Sequence, residues 1–167
     1  MVFDIYSSSH GFYSNKKEAL DLASASFLGE IKEGRVWYSI YEILYLLDLK
    51  KAQVINNKDK KLSFSDLIKK ADKSTYLVFR ELRNKGNILK EGLKFGADFR
   101  VYSKGTKPGK AHAKYLLHVV EGKSKLNMKD FCAKTRVAHS TNKILLLAIV
   151  DSEHDISYYE VNWKNKN

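Results

Sequence analysis

One stretch sets the terms for the whole chain: LKFGADFRVYSKGTKPGKAHAKY, residues 93–115. It opens as a strand over Ala97 to Tyr102, with Phe99 and Val101 on one face of a period-two pattern and Asp98, Arg100 and Tyr102 on the other. Tyr102 is expected to face outward at the strand's end. The nine residues from Ser103 to Ala111 hold two glycines, the only proline and three lysines, which is loop chemistry, and they deliver His112 ten positions after Tyr102. A phenol and an imidazole thus flank a cationic loop. That suits a phosphate-bearing ligand: lysines concentrate anions, and two titratable groups can exchange protons with a reacting hydroxyl. Taken alone, the same residues also describe an ordinary strand end and surface loop.

Charge narrows the partner. Thirty Lys and Arg against nineteen Asp and Glu leave a formal net charge of +11 in a 167-residue chain, which points to a polyanion, nucleic acid first. The 44% apolar content is that of a globular protein with a core, large enough for one large or two small domains. Cys132 is the single cysteine, so neither an intramolecular disulfide nor a multi-cysteine metal site can form. A reduced, cytoplasmic setting is the expectation. The opening residues show no basic-then-apolar signal, and the run Ile144 to Val150 is too short to cross a bilayer, so no membrane partner is expected.

Along the chain, Val2 to Tyr6 reads as a strand, and Lys16 to Ala25 as a helix with Asn15 as N-cap. Ser39 with Glu42 forms a capping box ahead of a stripe of Ile40, Ile43, Leu44 and Leu47. The charged run NNKDKK and a short helix from Ser63 to Ala71 lead to a division near Asp72. The domains are therefore expected at 1–72, a small mixed α/β unit, and 73–167, a unit built on a mixed sheet flanked by helices. In the second, Ser74 starts a helix over Thr75 to Lys85 that ends at Gly86, and strands follow at Ile88 to Glu91, 97–102 and Tyr115 to Val120. His118 reads as a packed histidine. Asn127 caps a helix running toward Val137, Ile144 to Val150 is a strand, and Ile156 to Trp163 is another beyond the turn DSEHD. The fold class is α/β of the α+β type.

Near the C-terminus, RVAHSTNKILLLAIVDSEHDISYY sets Arg136, His139 and Lys143 ahead of a strongly apolar strand. Together with LKFGADFRVY and the spacing from Tyr102 to His112, this resembles the archaeal tRNA-splicing endonuclease family, which removes introns from precursor tRNA. The resemblance is specific over roughly the C-terminal half and looser in the N-terminal half. It implies that Tyr102 is the general base, His112 the general acid and Lys143 the cation stabilising the transition state, with no metal and no cofactor. It also implies that Arg136 grips a bulged base of the RNA. The acidic turn Asp151, Glu153 and Asp155 would dock into a neighbouring subunit, within a homotetramer or a heterotetramer with a noncatalytic chain. The substrate would be precursor tRNA, cut at bulge-helix-bulge junctions to leave 2′,3′-cyclic phosphate and 5′-hydroxyl ends.

Other readings of the same residues stay open. Asp151, Glu153, His154 and Asp155 alternate as some ion-binding loops do, but lack the glycine and terminal glutamate of an EF-hand. Asp98 can be read as one carboxylate of a metal-dependent nuclease, yet Tyr115 to Val120 offers no acidic partner. Neither KFGADF nor SKGTKPGKA has Walker spacing. Arg80, Arg83 and Lys85 read as a solvated helix face, Tyr158, Tyr159 and Trp163 as strand packing, and His139 as structural. A noncatalytic RNA-binding or structural subunit is the alternative function, against which the presence of a tyrosine, a histidine and a lysine at the matching positions argues.

Overall fold

A computed structural model describes residues 2–164, which form two compact units, one ending at Tyr76 and the other starting at Leu77. Each is built on a mixed sheet with helices, an α/β arrangement.

The first unit has a six-stranded sheet in the order β3-β4-β2-β1-β5-β6. Its strands are β1 (Phe3–Ser8), β2 (Gly11–Ser14), β3 (Glu30–Lys32), β4 (Arg35–Tyr38), β5 (Ala52–Ile55) and β6 (Lys61–Leu62), with β1 and β5 parallel and the other pairs antiparallel. Helices α1 (Lys17–Ser26), α2 (Ile40–Asp48) and α3 (Phe64–Ile68) accompany it, α1 packing on β3 and β4 and α2 on β5 and α3. Phe3, Ile5, Val36 and Val54 are buried on one face of the sheet, together with Ala19, Ala23, Ile43, Leu44 and Leu46 of the helices. The capping box forms as expected: the Ser39 side chain accepts from the Glu42 N–H, and Glu42 Oε2 accepts from the Ser39 N–H. The buried Glu42 carboxylate also accepts from the Gly29 N–H at 2.8 Å, so one acid joins the helix start to the β3 approach. The α1 cap differs from expectation, because Lys16, not Asn15, occupies the N-cap position and makes no side-chain cap bond.

The second unit's sheet runs β11-β10-β9-β8-β7. Its strands are β7 (Ile88–Glu91), β8 (Phe99–Tyr102), β9 (Tyr115–Glu121), β10 (Ile144–Val150) and β11 (Ile156–Val161). Only β9 and β10 are parallel, and α5 (Met128–Ser140) makes the crossover that a parallel pair requires. On the α5 face, Leu116, Leu145 and Leu147 pack with Ala138, Phe131 and Val137. On the opposite face Phe99 meets Phe79 of α4 (Lys73–Asn84), with ring centroids 5.4 Å apart. Both sheet faces are therefore covered.

Three expectations change here. Helix α4 starts at Lys73, capped by Asp72, whose Oδ1 accepts from the Thr75 N–H and hydroxyl, so Ser74 is not its start. Strand β8 begins at Phe99 because Ala97 and Asp98 belong to a tight turn that follows a 3₁₀ turn at Leu93–Phe95, with the Ala97 N–H returning to the Gly92 carbonyl. Strand β11 ends at Val161, which leaves Trp163 beyond the sheet.

Gly29 has φ +80°, and a Cβ placed there would stand 2.3 Å from Val36 and 2.8 Å from Tyr38. A Gly29→Ala substitution is expected to cost about 2 kcal/mol or more. Urea unfolding followed by Trp37 fluorescence in a Trp163→Phe background checks this; an unchanged midpoint would contradict it.

Candidate active site

The site begins with backbone bonds. The Lys114 N–H donates to the Val101 carbonyl at 3.0 Å, and the Lys114 carbonyl accepts from the Ile144 N–H at 3.0 Å. One residue therefore ties the end of β8 to the start of β10. The strand register continues the row, pairing Val101 with Tyr115 and Tyr115 with Ile144. Because β8 runs against β9 while β10 runs with it, Tyr102, Lys114 and Lys143 all come to the same end of the sheet. His112 stands two residues before the tie.

Tyr102 is the last residue of β8 and is buried, at 6% exposure, which corrects the expectation that it faces outward. The reason is the double cover of this sheet: alternation separates two faces but does not make either one wet. By register Tyr102 lies opposite Ile88 and shares its face with Arg100, which pairs with the α5-packed Leu116.

The loop from 103 to 114 is held by its own turns. Thr106 N–H donates to the Ser103 carbonyl, and the Lys110 and Ala111 N–H groups to the Lys107 carbonyl. Gly105 and Gly109 take φ +86° and +85°, a region closed to most side chains, so the glycines of the loop are required by its shape. Ala113 is buried and anchors the far end, while His112, Lys104, Lys107 and Lys110 are exposed. The imidazole therefore sits beside a solvated cationic rim.

Lys143 follows the end of α5. Asn142 takes φ 54°, its N–H donates to the His139 carbonyl, and the Lys143 N–H reaches the Ala138 carbonyl at 2.8 Å. This is a left-handed C-terminal cap of the Schellman kind, made with Asn in place of Gly. The half-buried Lys143 side chain donates from Nζ to the Thr141 carbonyl at 2.8 Å and lies 5.2 Å over the Phe95 ring. An ammonium has three donors, so two are left to face an anion.

Arg136 projects from α5, exposed, with its guanidinium 5.9 Å from the Trp163 ring. His139, one turn further on, meets the same ring at 6.1 Å. Sequence reasoning had Trp163 as strand packing; it instead backs a basic, stacking-competent cluster, a contact that no local pattern encodes. The acidic turn is divided in role. Asp151 Oδ1 accepts from the Glu153 and Asp155 N–H groups at 2.9 Å each, shaping the turn, while all three residues are exposed.

The alternative readings turn on Asp98 and the DSEHD turn. Asp98 Oδ2 accepts from the Val119 N–H at 2.8 Å and so serves the β8–β9 connection. Among the described residues, no three His, Cys, Asp or Glu side chains gather as a metal would need, the DSEHD turn included. No helix among those residues is long and apolar enough to cross a membrane.

The topology thus brings a phenol, an imidazole and an ammonium to one end of a sheet, beside a basic rim and an arginine-bearing helix. Residues 72–158 match the family described as tRNA intron endonuclease, catalytic C-terminal domain. The chain belongs to that family, and Tyr102, His112, Arg136, Lys143 and the acidic turn all lie within the matched region. It is similar along most of its length to the tRNA-splicing endonuclease of Pyrococcus furiosus, 37% identical over 169 residues, which span 97% of this chain and 96% of the relative. The tRNA-splicing endonuclease of Methanothermobacter thermautotrophicus is 39% identical over 145 residues, 85% of each chain. That of Nanoarchaeum equitans is 42% identical over 137 residues, 75% of this chain and 87% of the relative.

His118 is buried in β9, at 4% exposure, as its apolar neighbours suggested. Burial, and secondarily the charge of Lys134, pushes its pKa down to about 4. In the unfolded chain the imidazole binds a proton near pH 6.5. Between these values the unfolded state holds more protons, so this contribution to stability is complete above pH 6.5 and is lost as pH falls toward 4. Denaturant unfolding across that window should show a loss of roughly 3 kcal/mol that His118→Gln flattens; an equally steep profile in the variant would refute it.

Proposed function

We propose that the chain cuts precursor tRNA at bulge-helix-bulge splice junctions by acid–base catalysis that needs no metal ion. The observation that carries this reading is the shared sheet end, where Tyr102, His112 and Lys143 flank one backbone tie at Lys114. The nucleophile is the 2′-hydroxyl of the RNA itself. Entering the step as its phenolate, Tyr102 takes that hydroxyl's proton as the oxygen attacks the adjacent phosphorus. The bond from phosphorus to the 5′-oxygen then breaks, and His112 supplies the proton that the departing oxygen needs. Lys143 faces the extra negative charge of the pentacoordinate phosphorus. The products are a 2′,3′-cyclic phosphate and a 5′-hydroxyl.

Arg136 contributes recognition: a planar guanidinium stacks on a base splayed from a bulge, which lysine cannot do. Trp163 supports this reading by standing 5.9 Å from the guanidinium, within cation–π range.

The active species in this reading is a four-subunit assembly with two catalytic chains, homotetrameric or completed by a noncatalytic partner. Its docking element is the turn of Asp151, Glu153 and Asp155, which offers negative charge on a chain of net charge +11. Charge complementarity of this kind orients subunits and adds specificity more than affinity.

Single-turnover cleavage of a bulge-helix-bulge RNA in EDTA tests the chemistry. His112→Ala and Lys143→Ala should each lower the saturated rate about 100-fold or more with little change in RNA affinity. Tyr102→Phe should slow cleavage with the fold intact. An absolute need for Mg²⁺, or full rates in these variants, would overturn the mechanism.

For assembly, reversing the charge at Glu153 and Asp155 should lower both oligomeric mass by light scattering and cleavage rate. Asp151 is left in place because its carboxylate holds the turn. A wild-type monomer with full activity at both junctions would defeat the four-subunit proposal.

A further inference from the structure

The first unit carries a second candidate surface, unrelated to the cleavage residues. Strand register places Glu30, Trp37, Tyr13, Tyr6, Ile55 and Lys61 in one row that crosses all six strands. At its centre lie three aromatic rings, Tyr6 to Tyr13 at 5.8 Å and Tyr13 to Trp37 at 5.4 Å. The Arg35 guanidinium stands 4.9 Å from the Tyr13 ring.

This row lies on the sheet face opposite the buried Phe3, Ile5, Val36 and Val54. Its rings are half-buried, and Arg35 and Lys61 are exposed. Of the acids nearby, Asp4 accepts from the Gln53 amide and Glu30 pairs with Lys32 at 2.9 Å, while Glu33 and Asp59 are exposed in the flanking turns. The turn from β5 to β6 adds exposed Lys58 and Lys60 next to Lys61. The result is a flat run of rings with cations at its flanks and no unengaged carboxylate in the row.

We propose that this face binds single-stranded RNA, bases stacking on Tyr6, Tyr13 and Trp37 while Arg35, Lys58, Lys60 and Lys61 meet the phosphates. Stacking on aromatic rings beside a cationic track is how proteins hold single strands with little sequence preference, since every base has a π-face. Cross-strand aromatic pairs also steady a sheet. That alone does not call for rings left half in water on the face away from the helices, flanked by arginine and lysine. The net charge of +11 favours RNA over a basic or neutral protein as the occupant. In the setting of the cleavage proposal, the face would hold a single-stranded part of the transcript outside the splice junctions.

The test uses the full chain and a twelve-residue oligouridylate, which has no splice junction. Trp37 and Trp163 are the two tryptophans, so a Trp163→Phe background leaves Trp37 as the reporter. The oligouridylate should quench Trp37 saturably, with affinity falling as salt rises. Tyr13→Leu and Arg35→Glu should each weaken binding about fivefold or more. Arg35 is exposed, so its variant should keep the wild-type melting temperature and test the surface even where Tyr13→Leu loses stability. No quenching, or unchanged affinity in both variants, overturns the proposal. So does unchanged affinity with a lower oligomeric mass, which would make the face a protein interface. Because the probe cannot be spliced, a negative result here leaves the cleavage reading standing. Quenching by a chain that fails to cut leaves this one standing.

Discussion

The arrangement of the catalytic unit depends on one residue's backbone. Lys114 gives its N–H to β8 and its carbonyl to β10, so a loop of cationic residues is stapled to two strands that do not themselves neighbour each other in the sheet. Tyr102 precedes that loop, His112 lies near its end, and Lys143 stands one residue before Ile144, the partner in the second bond. Residues far apart in sequence thus inherit positions from a hydrogen-bonded frame. A loop alone could not supply such positions, since each free dihedral adds entropy that a precise constellation must overcome.

The frame in turn relies on α5. A parallel β9–β10 pair needs a crossover, and the helix that makes it packs Ala138, Val137 and Phe131 against the sheet. The same Ala138 whose side chain is buried lends its carbonyl to the Lys143 N–H. Helix packing and lysine placement are consequently one event. Arg136 is only two residues earlier on the exposed side, so the proposed base contact and the proposed transition-state cation are fixed by a single rigid element.

How much of this could be read from the chain follows from the range of the interactions. The Ser39–Glu42 capping box spans three residues and was legible, as were the apolar run of β10 and the Asn127 cap. Strands β2, β3 and β4 were not foreseen. They are three or four residues long, and although β1–β2 and β3–β4 pair locally, the β2–β4 pairing that joins them, such as Tyr13 with Trp37, spans more than twenty positions. Tyr102 was placed on the wrong side of the solvent boundary, because alternation carries no information about a second covering layer. Its grouping with His112 and Lys143 rested on resemblance to a family; no local periodicity links those residues. The Lys114 bonds and the Arg136–Trp163 contact are tertiary and leave no mark on nearby sequence.

Burial grades the three side chains in a way that bears on the proposed reaction. Tyr102 is buried and Lys143 is held by the Thr141 carbonyl over Phe95, so both are already confined before RNA arrives. His112 is exposed on a loop. A confined group loses little freedom on reaching the transition state, whereas an exposed imidazole must be ordered by the substrate. The base and the cation are needed as the 2′-hydroxyl attacks, and the acid as the 5′-oxygen departs. Ordering of the His112 loop then falls to the phosphates that Lys104, Lys107 and Lys110 can attract. On this account the loop lysines act through His112: they bring the acid into place only when an RNA backbone lies across the sheet end, which ties proton donation to a correctly seated substrate.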